Sequence, residues 1–196
     1  MKKYERVYQF KITLKGIKPA LWRRIEVPET YSFWDLHVAV QDAMGWKDCH
    51  LHDFTMPNPH THKKERIGIP DEDFDLEFLP GWDLKIAGYF SLKNNAAFYN
   101  YDYGDGWEHA VKLEKILPRL KATKYPRCID GERACPPEDC GGIYGYQDFL
   151  EAIMDPAHEQ HEDLLVWAGS DFEPESFDPG KVRFDNPRKR WEYAFG

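Results

Sequence analysis

No apolar run in this chain is long enough to cross a bilayer, so no membrane-spanning helix is expected. The opening residues, Met1-Lys2-Lys3-Tyr4-Glu5, lack the apolar stretch of a secretory signal, and the expected location is the cytoplasm. Cysteine is sparse, 4 in 196 residues, and no two form a C-x-x-C pair. In a reducing compartment these side chains are thiols or metal ligands, not disulfides. Basic residues are outnumbered, 26 Lys and Arg against 34 Asp and Glu, and the net charge of -8 argues against a broad nucleic-acid footprint. The two basic clusters, Lys63-Lys64 with Arg66 and Arg188-Lys189-Arg190, are short and read as solvated surface. Internal repeats and low-complexity tracts are also missing. So are a Walker A loop, a G-x-G-x-x-G fingerprint and a nucleophile elbow around Ser32, Ser91, Ser170 or Ser176.

What the chain has in quantity is aromatic residues, 15% of the total with 7 Trp and 11 Tyr, inside a hydrophobic fraction of 42%. Its mean hydropathy of -0.70 describes a polar surface over that core. A chain of 196 residues buries enough apolar area to fold without metal or disulfide support.

Val7, Gln9, Lys11 and Thr13 alternate with Tyr8, Phe10, Ile12 and Leu14, the period of a half-buried strand. Gly16 to Pro19 makes a turn, and Leu21 to Val27 returns as a second strand ended by Pro28. Ser32 is placed as an N-cap with Asp35 in the first turn. Phe33, Leu36, Val40 and Ala43 follow at helical spacing, and Gly45 closes the helix. A strand over Leu51 to Met56 completes a hairpin–helix–strand order of β-grasp type. The polar, proline-rich stretch 57–83 reads as an irregular excursion. Ala97 to Tyr103 and Trp107 to Ile116 form a hairpin about Gly104-Asp105-Gly106. Pro118 to Gly145 reads as an irregular ordered loop, followed by helices over Tyr146 to Met154 and Glu159 to Ala168. From Ser170 onward, six aromatics from Phe172 to Phe195 mark a docked tail. The expected class is α+β: one domain over 1–196 with a mixed, mainly antiparallel sheet and helices concentrated toward the C-terminus. Its parts are 1–56, 57–83, 84–169 and 170–196.

Two runs carry the densest chemistry. One is Tyr101-Asp102-Tyr103-Gly104-Asp105-Gly106-Trp107-Glu108-His109. The other begins at Cys128, Gly131 and Arg133 and continues through Cys135-Pro136-Pro137-Glu138-Asp139-Cys140-Gly141-Gly142. With Gly145-Tyr146, Trp22-Arg23-Arg24, Met44-Gly45-Trp46 and His50-Leu51-His52-Asp53-Phe54, these runs resemble the plasmid pRiA4b ORF-3-like family, to about Asp155. The resemblance implies no activity. Some members travel on plasmids and insertion elements, and a resolvase label attached to some finds no basic tail or arginine-flanked serine here.

Several side-chain sets are candidates for a site. Cys128, Cys135 and Cys140, with His109 as a fourth ligand, have the donor types of a Cys3His zinc centre, though without the C-x-x-C spacing; the plainer reading is three small buried thiols. His50 and His52, two apart on the expected strand, face one way, and Cys49, His60 and His62 lie near for a second metal group. Asp102, Asp105, Glu108, Glu138 and Asp139 would, if they converge, bind a divalent cation, leaving His109 or His52 as general base. Taken singly, each carboxylate is a turn or cap residue. Gly141-Gly142-Ile143-Tyr144-Gly145 precedes a helix and offers amides to an anion, but the adjoining Glu138 and Asp139 repel one, and a tight backbone path explains the glycines. Trp107, Tyr101, Tyr103, Tyr144 and Tyr146 stack a ligand or fill the core. The favoured reading is a binding or interaction module, with the cysteine loop as the candidate place for a structural metal, zinc by its donor types. Its expected partner is a protein or small molecule, not nucleic acid or membrane. The alternative is a metal-dependent hydrolase or nuclease associated with mobile elements, with Asp102, Asp105, His109, Glu138 and Asp139 as its catalytic candidates.

Overall fold

The computed structural model describes residues 4–70 and 78–196. Two strands, β1 (Arg6–Leu14) and β2 (Leu21–Pro28), pair antiparallel, with Phe10 opposite Ile25. The helix α1 (Phe33–Met44) follows. Its start is held by a capping box: Ser32 Oγ accepts from the Asp35 amide and the Asp35 carboxylate accepts from the Ser32 amide. Such caps are worth about 1 kcal/mol each. Gly45 closes the helix at φ 95°, a backbone conformation in which a side chain would be strained.

After α1 the chain adds β3 (His52–Pro57), β4 (Lys64–Gly68), β5 (Leu79–Pro80), the short helix α2 (Ile86–Tyr89), β6 (Ala96–Tyr101), β7 (Trp107–Pro118) and β8 (Arg127–Glu132). Among the described residues, eight strands lie in one sheet in the order β5-β4-β3-β6-β7-β1-β2-β8, and every pairing is antiparallel except β4 with β5. The mixed α+β class expected from the residues is the observed one. The strand after α1 does not sit beside the first hairpin, because the β6–β7 hairpin lies between β3 and β1. The helices α3 (Gly142–Met154), α4 (His161–Ala168) and α5 (Pro187–Phe195) follow the last strand.

Two strands escaped the periodicity reading. β4 lies in the stretch read as irregular, part of which, 71–77, is outside the described residues, and β8 lies in the loop that holds the cysteines. β8 is a sheet edge and β4 is bordered only by the two-residue β5. Ile67 is the one fully buried apolar side chain of β4, and none of β8 is buried. Backbone pairing to β3 and β2 holds them, and pairing leaves no hydrophobic alternation in the sequence. At the other boundaries, α3 begins at Gly142 and not Tyr146, and α4 at His161 and not Glu159.

The core gathers Phe10, Ile12 and Leu14 of β1, Phe33, Leu36 and Val40 of α1, and Phe54, Tyr99 and Trp107 of the later strands. Phe33 sits between Phe54 and Tyr89 at ring separations of 5.4 and 5.3 Å in edge-to-face contact, a favoured aromatic geometry. The opposite side of α1 is covered by the tail. The Trp34 indole N–H donates to the Pro187 carbonyl, its ring packs on Trp191 and Phe195, and Arg190 of α5 reaches Asp42 of α1 at 2.6 Å. This double cover buries ten of the helix's residues, among them the polar His37 and Gln41.

Candidate functional site

Three connections meet at one end of the sheet: the loop from α1 to β3, the β6–β7 turn, and the cysteine-proline loop before α3. Hydrogen bonds join them in pairs. The Trp46 indole N–H donates to the Pro136 carbonyl at 3.0 Å. The Glu138 carboxylate accepts from the Lys47 amide at 2.6 Å and from the Tyr101 hydroxyl at 3.0 Å, and the same hydroxyl accepts from the Cys49 amide at 3.1 Å. The Asp105 carboxylate accepts from the Gly141 amide at 3.1 Å. Gly142 is needed for that approach: at φ 69° an added Cβ would stand 2.4 Å from the Asp105 carbonyl oxygen. The two chemically dense runs, far apart in the chain, thus share one rim.

On this rim the backbone places Asp48, Asp102 and Asp139 at φ of 61°, 54° and 57°. Few residues without a glycine's freedom take that conformation, and a short Asp side chain tolerates it best. Asp102 is spent half on the turn, its Oδ1 accepting from the Gly104 amide at 2.9 Å and the Asp105 amide at 3.3 Å. Its Oδ2 lies 3.6 Å from His50 Nε2, and Asp139 Oδ1 lies 2.9 Å from the same nitrogen. The ligand atoms of His50, Asp102 and Asp139 all fall within 4.8 Å of one another. His50 Nε2 is shut off from solvent yet has no aligned hydrogen-bond partner among the described residues, so its close approach to Asp139 is contact without hydrogen-bond geometry.

A second group, His37, Asp48 and His52, lies deeper, under α5. His37 joins the Tyr99 hydroxyl through Nδ1 at 2.8 Å and Asp48 through Nε2 at 2.7 Å, and Gln41 donates to the same hydroxyl. His52 stacks on His37 with ring centres 3.4 Å apart and planes 5° from parallel. Parallel rings aim their lone pairs side by side and not at a common point, and Arg190 Nη1 stands 3.7 Å from Asp48. This arrangement is a buried polar network that locates α1 on the sheet. Burial pushes the His52 imidazole well below its ordinary range, with the neighbouring His37 acting the same way.

Each side chain singled out in the sequence has a definite place. Asp102 and Asp139 converge; Asp105 and Glu138 tie loops together at the same rim; Glu108 is exposed on β7 and pairs with Lys15 at 2.7 Å. His50 and His52 do not act together. The strand begins at His52, so His50 is outside the period-two register and turns to the rim while His52 enters the core. His60 and His62 are exposed in the β3–β4 turn, and Cys49 is exposed beside the rim. His109 is wholly buried between Tyr99 and Trp46, its Nδ1 3.2 Å from the Tyr99 carbonyl oxygen, and burial holds its pKa down at about 4. Among the described residues, no three of His109, Cys128, Cys135 and Cys140 bring ligand atoms within 4.8 Å of one another. Burial raises all three of these thiols, with Cys140 at about 12, so they remain protonated near neutral pH. Tyr101 and Trp107 are core residues, whereas Tyr144 is exposed on α3.

His37 and Asp48 had no sequence signal as site residues. The available clue was a polar line, Trp34, His37 and Gln41, along a second face of α1, which marks a helix covered on both sides.

A family model described as plasmid pRiA4b ORF-3-like protein matches residues 6–181. The chain belongs to the plasmid pRiA4b ORF-3-like family. As a member of this family it is 38% identical over 165 residues to the uncharacterized protein y4hQ of Sinorhizobium fredii (strain NBRC 101917 / NGR234), covering 84% of this chain and 81% of that one. The crystal structure of the protein of unknown function MM3350 from Methanosarcina mazei Go1 superimposes with a TM-score of 0.87 at 47% identity, over 93% of this chain and all of that one. The rim of this pRiA4b ORF-3-like chain lies wholly within the matched span. No helix among its described residues is long and apolar enough to cross a membrane.

Proposed function

We propose that this protein is a binding module whose ligand site is the rim where the α1–β3 loop, the β6–β7 turn and the loop before α3 meet. The observation that carries this reading is the convergence of the two dense sequence runs, held by the Glu138–Tyr101 and Asp105–Gly141 hydrogen bonds. A cleft of about 450 Å³ opens beside the rim between α3 and α4, lined by Asp139, Cys140, Asp148, Phe149, His158 and Trp167 among others. That volume suits a small molecule. Phe149 and Trp167, in edge contact at 5.9 Å, supply an apolar wall, and Asp139, Asp148 and His158 supply polar ends. The expected ligand is a small molecule with an apolar body and a polar head directed at the rim. The four free thiols suit the reducing cytoplasm expected from the sequence.

Metal-assisted hydrolysis, the second reading, draws on the meeting of Asp102 and Asp139, but His109 is too deep to serve there as a base. A fragment screen followed by amide chemical shifts tests the binding reading. Hits should move rim and α3–α4 signals together and lose affinity on Trp167→Ala. Hits that cluster only on the open face of the sheet, away from Asp139 and Trp167, would reject it.

A further inference from the structure

We propose that His50 Nε2, Asp102 Oδ2 and Asp139 Oδ1 hold a divalent first-row transition-metal ion whose open coordination positions receive the ligand's polar head. The inference rests on the rim being the ligand site and adds the chemistry that would recognise the ligand there. The first support is distance. Metal–nitrogen and metal–oxygen bonds of about 2.0–2.2 Å, meeting at tetrahedral or octahedral angles, separate neighbouring donor atoms by about 2.8–3.6 Å. The observed separations from His50 Nε2 are 2.9 Å to Asp139 and 3.6 Å to Asp102. The second is orientation. A buried imidazole nitrogen that approaches two carboxylates without an aligned hydrogen bond to either is poised for a third body between them.

The third support is charge. The Asp102 side chain is only 9% exposed, its Oδ1 is committed to two turn amides, and its Oδ2 accepts no hydrogen bond among the described residues. No Lys or Arg among the described residues forms a salt bridge with it. The contrast with Asp53 is direct: that carboxylate, fully buried, is met by Arg66 at 2.7 Å and by Asn100 and Tyr103. A buried carboxylate left without a cation is costly, and a bound cation removes the cost.

The donor set also selects the ion. One imidazole with two carboxylates suits Mn²⁺, Fe²⁺ or Zn²⁺ better than Ca²⁺, which takes six to eight oxygens. Three protein donors leave at least one position open, and Asp139, 69% exposed, lies on the cleft side. Neighbouring acids are already engaged, Glu138 by Lys47 and Tyr101 and Asp105 by Gly141, so the set is closed at three.

Mn²⁺ is the probe of choice, because it binds thiols weakly and its unpaired electrons broaden nearby amide signals. Titration of the full chain with Mn²⁺ should show about one bound ion and selective broadening around residues 50, 102 and 139. Asp139→Asn and His50→Gln, both at partly exposed positions, should weaken binding at least tenfold while leaving the thermal midpoint of the metal-free protein unchanged. Saturation below stoichiometry, broadening centred elsewhere, or equal affinity in both variants would overturn the proposal. Fragment binding measured with and without EDTA separates the two ideas. Fragments that occupy the rim equally well in EDTA would refute the metal's role and leave the binding site standing.

Discussion

Protonation of His109 should cost this fold more than that of any exposed histidine, and the cost follows from its surroundings. The ring is fully buried on β7 between Tyr99 and Trp46; Nδ1 faces a carbonyl oxygen and Nε2 has no partner among the described residues. Removal from water disfavours the imidazolium, and the pKa falls from 6.5 to about 4, slightly offset by the backbone carbonyl contact. The unfolded chain therefore binds a proton between about pH 6.5 and 4 that the native state does not. Stability rises with pH through that window, is fully recovered above it, and is lost as pH falls toward 4. At 1.36 kcal/mol per unit, the depression amounts to about 3 kcal/mol, a large share of an ordinary domain's stability. His52, pushed the same way, adds to the slope of the natural protein.

The test is the difference between the natural protein and His109→Gln, which keeps a donor of similar reach and does not titrate. Guanidinium unfolding followed by Trp fluorescence at steps from pH 7 to pH 4 gives both curves. Gln should cost stability at pH 7, and that deficit should shrink by about 3 kcal/mol by pH 4. Groups such as Glu29 and Glu114, whose pKa values their partners hold down, are common to both proteins and cancel. A deficit that stays constant across the range would refute the buried neutral imidazole.

Two further outcomes join those stated for fragment and metal binding. Gly142→Ala should destabilise the protein by about 2 kcal/mol or more, since its Cβ would meet the Asp105 carbonyl at 2.4 Å in a left-handed backbone conformation. Amide shifts should show the β6–β7 turn and the start of α3 moving together, and an effect confined to α3 would break the link between the two motifs. Arg190→Ala should cost about 1–3 kcal/mol by leaving Asp42 buried without its cation. Hydrogen exchange should then speed up first in α5, with a red shift from Trp191; unchanged α5 protection would show that the aromatic contacts alone hold the tail.

Much of the framework was legible from the residues. The inward set of β1, the Ser32 N-cap, the Gly45 stop and the turn between β6 and β7 all rest on local chemistry, and the structure reproduces them, although Val7 and Gln9 of the expected outward set of β1 are buried as well. β4 and β8 were not legible, because strands at or next to the sheet edge that are held by backbone pairing need no apolar period. His50 was assigned to a strand that begins only at His52, and beyond the end of a strand the period of two no longer sets which way a side chain faces.

The sequence by itself determined the α+β class, the first hairpin and its helix, and the two short runs where unusual side chains concentrate. Only the tertiary structure decided which of those side chains meet. Periodicity and capping act over a few residues, whereas the meeting of His50, Asp102 and Asp139 depends on three loops converging at one end of the sheet. The same closure sent His109 into the core and kept it from the cysteines, because the inward face of β7 is set by its register with β6 and β1.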